Sequence, residues 1–297
     1  MKIYDCFTFF NELNVLELRL KILDPFVDYF VLIEATKTHA GNKKPLYFKE
    51  NKDRFKRWEK KIIHVIVDDM PDPCKIYFKK FWRLSAALGL GRWKPERYQR
   101  NQIYRGLKYC KDEDIIIVSD LDEIPNPDKF NLLKEYTKNG KVVLFNQKLY
   151  KFFLNGFVHS NWEGSRACSF KLFKKTFKKK GDRVRRLREP LLRIKMILAK
   201  GKSSPLRVIK GGGWHFSYLG NIDSILEKLS NFCHTENYSH LELNNPKKIM
   251  EKVYKGEDLF MDKLKINYIP IDESFPKVVY ENQKKYKEYI MPIKPKK

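Results

Sequence analysis

The sequence predicts an α/β protein with a mainly parallel central sheet flanked by helices. Two observations lead to this prediction. Short runs rich in β-branched and aromatic residues recur along the first half of the chain, at residues 2–10, 27–35, 61–69, 114–120 and 141–153. Segments with helical spacing of apolar residues lie between them. Near-continuous apolar strands that alternate with helices are typical of parallel sheets covered on both faces, and such sheets bind ligands at the carboxyl ends of their strands.

Two of the intervening segments have clear helical features. Residues 12–23 place four leucines on one helical face, at positions Leu13, Leu16, Leu20 and Leu23. Residues 95–110 open with a proline, which suits the first turn of a helix. We expect both segments to pack against the sheet.

The order of these segments predicts one main domain over residues 1–260. A basic amphipathic insertion is expected within it at about residues 171–210. Residues 261–297 are expected to form a C-terminal extension that packs on the domain or is partly mobile.

The composition limits the classes of protein and of partner. The 297-residue chain is 42% hydrophobic, which is enough for a substantial core, and its formal net charge is +25. Such an excess favours nucleic acid, a membrane surface or phosphorylated substrates as partners. The five cysteines form no Cys-x-x-Cys pair, so neither a disulfide framework nor a zinc site is predicted. No run reaches the roughly 18 apolar residues that cross a bilayer. We expect a cytoplasmic protein, with peripheral attachment to the inner face of a membrane as an alternative.

An acidic stretch stands out against this basic background. Residues 112–125 read DEDIIIVSDLDEIP and carry six acidic side chains. The run IIIV predicts a buried strand, and Asp120 and Asp122 follow it at the edge where a ligand crevice is expected. In extended chain these two carboxylates point to the same side, where Mg²⁺ or Mn²⁺ would relieve their repulsion. The alternative is an acidic, solvated loop of the kind that often follows a strand.

Several further segments, taken together, carry a resemblance to a known family. YDCFTFFNELNVLELRL (4–20), VDYFVLIEATKTHAGNKKPLYF (27–48), QRN (99–101), SDLDEIP (119–125) and GGWHFS (212–217) occur in an order and spacing similar to glycosyltransferase family 17. That family includes the enzymes that add bisecting N-acetylglucosamine to the β-mannose of N-glycans.

The resemblance implies a GT-A-like nucleotide-sugar-binding fold. It also implies a metal-dependent, inverting transfer of N-acetylglucosamine or a related hexose from a UDP-sugar to a glycan or lipid-linked acceptor. We expect no amino-terminal membrane anchor or stem of the kind that the well-known vertebrate members have. We therefore expect a cytoplasmic enzyme of surface polysaccharide or lipid-linked glycan synthesis rather than one acting on glycoproteins.

Metal ligands are assigned on this resemblance. Asp122 is the expected direct ligand of Mn²⁺ or Mg²⁺, and Asp120 is expected to contact the metal or the donor ribose. His215, in KGGGWHFSYLG, is the expected third ligand, and its three preceding glycines would leave room for a phosphate. The alternative for His215 is a core histidine beside Trp214. Glu123 could be an outer group of the metal site or a helix-capping acid.

The expected donor contacts lie at the predicted strand ends and on the second helix. They are Glu12, Glu34, Thr36, Arg100 and Asn101, together with Asp120. An arginine offers a planar fork that matches phosphate. The first five have simpler explanations. Glu12 could be a charge in a first helical turn, and Glu34 and Thr36 could be ordinary strand-end and turn residues. Arg100 and Asn101 could lie on a solvated helix face.

An inverting transfer also needs a carboxylate that takes the acceptor's proton. Glu163 is the first candidate because Trp162 beside it could stack on a sugar, and Glu236 is the second. Trp162 and Trp214 are the aromatic residues expected on the acceptor side. A surface loop acid is the alternative for Glu163.

The insertion at residues 171–210 contains sixteen Lys and Arg against two acids. Residues 185–200 place Leu187, Leu191, Ile194 and Leu198 at helical intervals, so this helix could lie in an anionic membrane interface. It could equally pack its apolar face on the domain. Two other functions remain open: a nucleic-acid-binding protein or nuclease with an acidic metal site, and a catalytically silent scaffold at a membrane surface.

Overall fold

The computed structural model describes residues 1–76, 84–85, 88–188, 205–220, 222–231, 245–259 and 264–293. Ten strands of these residues form one sheet. They are β1 Ile3–Phe9, β2 Tyr29–Ala35, β3 Ile62–Val67, β4 Ile115–Asp120, β5 Glu123–Pro125, β6 Val142–Lys151, β7 Gly156–Ser169, β8 Leu206–Ile209, β9 Gly213–Ser217 and β10 Asn267–Tyr268.

Helices lie between the strands. They are α1 Leu13–Leu23, α2 Tyr47–Glu50, α3 Trp93–Asn101, α4 Phe130–Lys138, α5 Phe170–Lys175, α6 Gly181–Arg185, α7 Ile222–Asn231, α8 Pro246–Tyr254 and α9 Lys277–Tyr280. Short 3₁₀ helices occur at Lys52–Trp58, Gln102–Gly106, Pro127–Lys129, Arg186–Arg188 and Gln283–Tyr289. No described helix is both long enough and apolar enough to span a bilayer.

The sheet has the order β3-β2-β1-β4-β7-β6-β9-β5, with β8 and β10 attached to β6 and β7. Strands β3, β2, β1 and β4 are parallel to one another, and β6 is parallel to β8 and β9. Strand β7 is antiparallel to both β4 and β6 and joins the two parallel parts. The predicted class, α/β with a mainly parallel sheet flanked by helices, is confirmed.

The strand order places a reversal point between β1 and β4, where sheets of this class bind ligands. The chain runs from β1 outwards through β2 to β3 and then returns to place β4 on the other side of β1. At such a reversal the connections leave in opposite directions, so the carboxyl ends of the two central strands are left open to ligand. Asp120, the last residue of β4, pairs with Thr8 of β1 at this edge.

The core lies on both faces of the sheet because successive side chains of the buried strands alternate. In β1, Phe7 and Phe9 join the larger apolar cluster together with the leucines of α1, whereas Tyr4 and Cys6 join a second cluster on the other face. Asp5 shares the side of Phe7 and is fully buried. A polar residue in this position requires a partner from α1.

The helix predicted over residues 95–110 ends earlier than expected. The α-helix covers Trp93–Asn101 and continues as a 3₁₀ turn to Gly106. The backbone of Gly106 packs so closely on β2 that a Cβ atom there would lie 2.3 Å from Cγ1 of Val31. Tight packing on the sheet therefore accompanies the end of the regular helix.

The described part of the predicted C-terminal extension packs on the domain. Phe275 and Val279 belong to the larger core cluster, and the backbone amide of Leu154 donates to the carbonyl of Tyr289 at 2.8 Å. Residues 264–293 therefore cover the sheet through both apolar and backbone contacts. The boundary at residue 260 stays a prediction.

Candidate active site

The acidic stretch makes a tight turn at the carboxyl end of β4. Strand β4 ends at Asp120, Leu121 and Asp122 form the turn, and β5 begins at Glu123. The extended conformation expected for this segment is therefore wrong, and strand alternation does not align its two aspartates. The amide of Phe216 in β9 donates to the carbonyl of Asp122 at 2.9 Å, so the turn is also attached to β9.

Arg19 of α1 holds the backbone of this turn. Its Nη1 donates to three carbonyl oxygens, those of Asp120 at 3.2 Å, Leu121 at 2.9 Å and Glu123 at 2.9 Å. Three carbonyls that converge on one cation bend the chain away from the extended form. The contact explains why the two aspartates diverge.

The rest of the Arg19 guanidinium is fixed within the core. Nε and Nη2 donate to the two oxygens of Asp5 at 2.7 and 2.6 Å, and Nη2 also donates to Oγ of Ser119 at 2.6 Å. Both Arg19 and Asp5 are fully buried. A buried charge is tolerated when its partner and hydrogen bonds are complete, as they are here.

Asp120 is bound by two arginines. One carboxylate oxygen accepts from Nη2 of Arg100 and the other from Nη2 of Arg185, each at 2.9 Å. The Asp120 side chain is 34% exposed, whereas both arginine side chains are 7% exposed. The carboxylate thus lies at the mouth of the site with two buried cations behind it.

The two arginines are themselves enclosed by acids. Burial opposes the charged form of Arg100, but Glu96, Asp120 and Asp182 raise the pKa of its guanidinium well above the ordinary value. Burial likewise opposes ionisation of Arg185, and Asp120 and Glu123 raise the pKa of its guanidinium. Both cations therefore keep their charge at every physiological pH.

Asp122 lies beside His215. Nε2 of His215 is 3.4 Å from a carboxylate oxygen of Asp122, and the imidazole packs at 4.6 Å from the ring of Trp162. Nε1 of Trp162 donates to Glu123 at 2.7 Å. His215 is opposite Glu123 in the register of β5 and β9, so strand pairing brings these four side chains together.

The predicted metal set is brought together only in part. The described residues hold no group of three His, Cys, Asp or Glu placed to bind a metal. Asp122 and His215 do fit as a pair, because two ligands of one octahedral ion, each about 2.1 Å from it, lie roughly 3 Å apart. Nδ1 of His215 is buried without a hydrogen-bond partner among the described residues. Asp120 faces the arginines, so its part in a metal site stays a prediction.

Two of the three glycines before Trp214, Gly212 and Gly213, have a packing role. A Cβ atom at Gly212 would lie 2.9 Å from Cα of Phe145, and one at Gly213 would lie 2.1 Å from the carbonyl oxygen of Ile124. The missing side chains allow β5 and β6 to approach the start of β9. The expectation that the space at these two glycines admits a phosphate is wrong, because backbone already fills it.

Glu34 is directed into the protein. It is fully buried, and its oxygens accept from the backbone amide of Phe48 and from Nε2 of His64, each at 2.9 Å, with Nζ of Lys44 at 3.8 Å. The carboxylate therefore fastens the segment that follows β2. Donor contact by Glu34 stays a prediction that requires this carboxylate to be uncovered.

The other expected donor residues are spread along the crevice edge. Glu12 precedes α1, and one oxygen accepts from the amide of Asn11 at 3.3 Å. The hydroxyl and amide of Thr36 both donate to the carbonyl of Val67, which joins the ends of β2 and β3. Oδ1 of Asn101 accepts from the amide of Asp182 at 3.1 Å and so positions α6.

The residues expected near the acceptor separate into two environments. Trp162 is in the site through its contacts with Glu123 and His215. Trp214 is not: it is 6% exposed, belongs to the core, and its Nε1 donates to the carbonyl of Ser274. Adjacent residues of β9 point to opposite faces, so His215 and Trp214 cannot both face the site.

Of the two candidate bases, the structure describes only Glu163. The Glu163 side chain is 37% exposed and 3.9 Å from Nη2 of Arg166, and its carbonyl accepts from Arg185 at 3.4 Å. It stays the candidate base. Glu236, the second candidate, lies outside the described residues.

The basic insertion is described as far as residue 188 and again from 205. The amphipathic helix predicted over residues 185–200 falls mainly outside the described residues. Within them, α6 ends at Arg185, and Leu187 is buried in the second core cluster. Leu187 therefore packs on the domain.

Sequence reasoning missed Arg19 and Arg185. The position of Arg19 in the sequence does indicate a buried charge, because Arg19 lies three residues after Leu16 and four before Leu23, on the apolar face of a helix. A charge in that position predicts a buried partner, although the sequence does not identify it. Arg185 is one of many cations in its segment and carried no signal of its own.

Comparison with known proteins shows the family of the chain. A profile of glycosyltransferase family 17 matches residues 1–186, which include both arginines and the acidic turn. The chain is therefore a glycosyltransferase, and it belongs to family 17.

Two mammalian proteins show weaker similarity to the chain. The beta-1,4-mannosyl-glycoprotein 4-beta-N-acetylglucosaminyltransferases of Rattus norvegicus and Homo sapiens are each 26% identical over 239 residues, or 74% of this chain. The chain spans about 40% of the length of these relatives. A crystal structure of S. aureus TarS residues 1–349 covers 85% of this chain and 73% of its own, with 11% identity and a TM-score of 0.39.

Proposed function

We propose that the enzyme transfers N-acetylglucosamine or a related hexose from a UDP-sugar to a glycan or lipid-linked acceptor, with inversion at the anomeric carbon. The observation that carries the proposal is the acidic turn at the strand reversal between β1 and β4, where Asp120 binds two buried arginines and Asp122 lies beside His215. A nucleotide diphosphate needs positive charge at such a crevice. The name of the mammalian relatives supports N-acetylglucosamine as the sugar.

The metal, Mn²⁺ or Mg²⁺, would be held by Asp122 and His215. Mg²⁺ is commonly bound by one or two carboxylates together with substrate phosphates and water, so a two-residue set suffices. When bound, the ion neutralises charge on the departing diphosphate. Trp162 packs on His215 and fixes the orientation of its ring, while Glu123 holds Trp162.

The acceptor hydroxyl needs a group that takes its proton as it attacks. Glu163 is proposed for this role because its side chain is partly exposed and its backbone carbonyl accepts from Nη1 of Arg185, next to the arginines of the site. Glu236 is the second candidate. Trp162 would present its ring to the acceptor or donor sugar, since aromatic faces pack on apolar sugar surfaces.

The insertion at residues 171–210 is proposed to attract an anionic membrane surface in the cytoplasm. Its described part exposes Lys171, Lys175, Lys178, Lys179, Lys180 and Arg183. Each basic residue near an anionic bilayer contributes about 1 kcal/mol of attraction. Such attachment would bring a lipid-linked acceptor near the enzyme.

The test is release of UDP from a panel of nucleotide sugars in the presence of Mn²⁺. One UDP-sugar should be hydrolysed slowly without acceptor. Asp122→Asn should lower that rate about a hundredfold or more, since a bound ion supplies several kcal/mol of charge stabilisation. Asp128→Asn is the matched control, because Asp128 is exposed six residues further on.

Failure to bind or hydrolyse any nucleotide sugar would contradict the proposal. Tight, salt-dependent binding of DNA or RNA in the same preparation would favour the nucleic-acid alternative. Equal rates in Asp122→Asn and Asp128→Asn would remove Asp122 from the metal site while leaving the enzyme class intact.

A further inference from the structure

Two buried arginines converge on the Asp120 carboxylate, and each of them also pairs with at least one further acid. Arg100 and Arg185 come from two separate helices, α3 and α6, and are only 5% and 6% exposed. Both direct an Nη2 atom at the same carboxylate, which is the part of the arrangement that reaches the crevice. Two buried cations at the mouth of a ligand crevice are costly to build, and their convergence points to an anion.

Each guanidinium is held in place independently of Asp120. Nη1 of Arg185 donates to the carbonyls of Glu163 and Gly164 at 3.4 and 3.3 Å, and Arg185 is also paired with Glu123. These contacts fix the plane of the guanidinium. A guanidinium group that is already oriented loses little conformational entropy when it binds a phosphate.

Arg100 is anchored in the same way. Its Nη2 donates to Glu96 at 2.8 Å and its Nη1 is 3.6 Å from Asp182. Its Nε is buried without a hydrogen-bond partner among the described residues. Arg100 thus keeps its position and one unsatisfied donor when Asp120 is removed.

We propose that Arg100 and Arg185 form a binding site for diphosphate, here called the diphosphate seat. The Asp120 carboxylate occupies this site in place of the ligand, as an internal stand-in, until a diphosphate binds. The carboxylate of Asp120 bridges the two forks through one oxygen each, as two oxygens of a phosphate would. An arriving diphosphate exchanges those oxygens for its own. Asp120, which is already one-third exposed, then turns out of the seat.

The exchange gives Asp120 a role different from that of a standing metal ligand. With no ligand bound, Asp120 shares the two arginines with Glu96, Asp182 and Glu123, and it competes with any incoming anion for the Nη2 atoms that it binds. The seat itself needs no metal ion. The seat rests on the proposed function only for the identity of the nucleotide attached to the diphosphate.

The test measures binding of inorganic pyrophosphate by calorimetry in EDTA. Asp120→Asn keeps the shape of the side chain and removes the competing charge, so pyrophosphate should bind about tenfold more tightly than to the parent enzyme. Arg185→Lys keeps the charge and loses the fork, and it should bind about tenfold more weakly. Arg183→Lys, on the exposed side of the same helix, should bind as the parent does.

The direction of the Asp120→Asn effect decides the matter. Unchanged or weaker pyrophosphate binding in this variant, with its circular dichroism retained, would overturn the stand-in. Parent-like binding in Arg185→Lys would overturn the seat. The test stays decisive even if Arg185→Lys is less stable than the parent, because a loss of stability cannot produce the tighter pyrophosphate binding that is expected of Asp120→Asn.

The pyrophosphate titrations, together with titrations of UDP and GDP and the UDP-sugar hydrolysis assay, separate this inference from the donor proposal. Pyrophosphate binding with both expected changes, but no preference for UDP over GDP and no hydrolysis of a UDP-sugar, would sustain the seat and contradict the UDP donor. Hydrolysis of a UDP-sugar with pyrophosphate binding unaffected by Asp120→Asn and Arg185→Lys would sustain the donor and contradict the seat.

Discussion

Replacement of Arg19 should separate the stability of the domain from the geometry of its site. Arg19→Met removes the donor to three carbonyls of the acidic turn and leaves the fully buried Asp5 without its partner. Removal of one member of a buried ion pair costs about 3–5 kcal/mol. Since domains are stabilised by only about 5–15 kcal/mol, the single variant should lose a large part of its stability.

The paired variant Arg19→Met with Asp5→Leu should recover most of that loss. Replacing both members of a buried pair by apolar side chains is often neutral or stabilising. The carbonyls of Asp120, Leu121 and Glu123 nevertheless remain without their donor, so the turn should relax toward the extended form. A misplacement of about 1 Å can lower turnover about a hundredfold.

Chemical denaturation and donor hydrolysis measured on the same three proteins test this reasoning. We expect the paired variant to unfold near the parent's denaturant midpoint and to hydrolyse the donor at least about tenfold more slowly. Parent-like activity in the stable paired variant would refute the view that Arg19 positions the turn. A paired variant as unstable as Arg19→Met would show instead that the carbonyl contacts dominate the stability.

Two further predictions concern packing and pH. Gly213→Ala places a Cβ atom 2.1 Å from the carbonyl oxygen of Ile124 at a φ of +132°, so the free energy of unfolding should fall by more than about 2 kcal/mol. Gly211→Ala is the control: its φ is +59° and nothing lies within 4 Å of the added Cβ atom, so the loss should be about 1 kcal/mol. Thermal unfolding measures both losses, and equal losses would contradict the packing role. Burial lowers the pKa of His39 below its ordinary value, so the unfolded chain binds more protons just below about pH 6.5 and the free energy of unfolding should fall as the pH drops through that window. His39→Gln should show a smaller fall between pH 7.5 and 5.5 by urea denaturation, and an unchanged fall would assign the dependence to other groups.

The sequence by itself determined the class of the fold and the edge where the site forms. The runs at residues 29–35 and 115–120 are strands because near-continuous apolar residues can be buried on both faces of a parallel sheet, and the run at 62–67 forms the half-exposed strand at the edge. The leucines of α1 fixed that helix by their spacing. Asp120 and Asp122 lie at the carboxyl edge of β4 because loops must leave the strands there, and this could be derived without coordinates.

Only the tertiary structure decided what the charged side chains do. Asp120 and Asp122 take different partners because Arg19, from a helix a hundred residues earlier, bends the chain between them. Glu34 and Trp214 point inward and Trp162 reaches the site for reasons of strand pairing and alternation across distant segments. The local sequence indicates whether a segment is a helix or a strand and which of its faces is apolar. The partner of a charged side chain depends on contacts between residues far apart in the chain. Those contacts exist only once the sheet has formed.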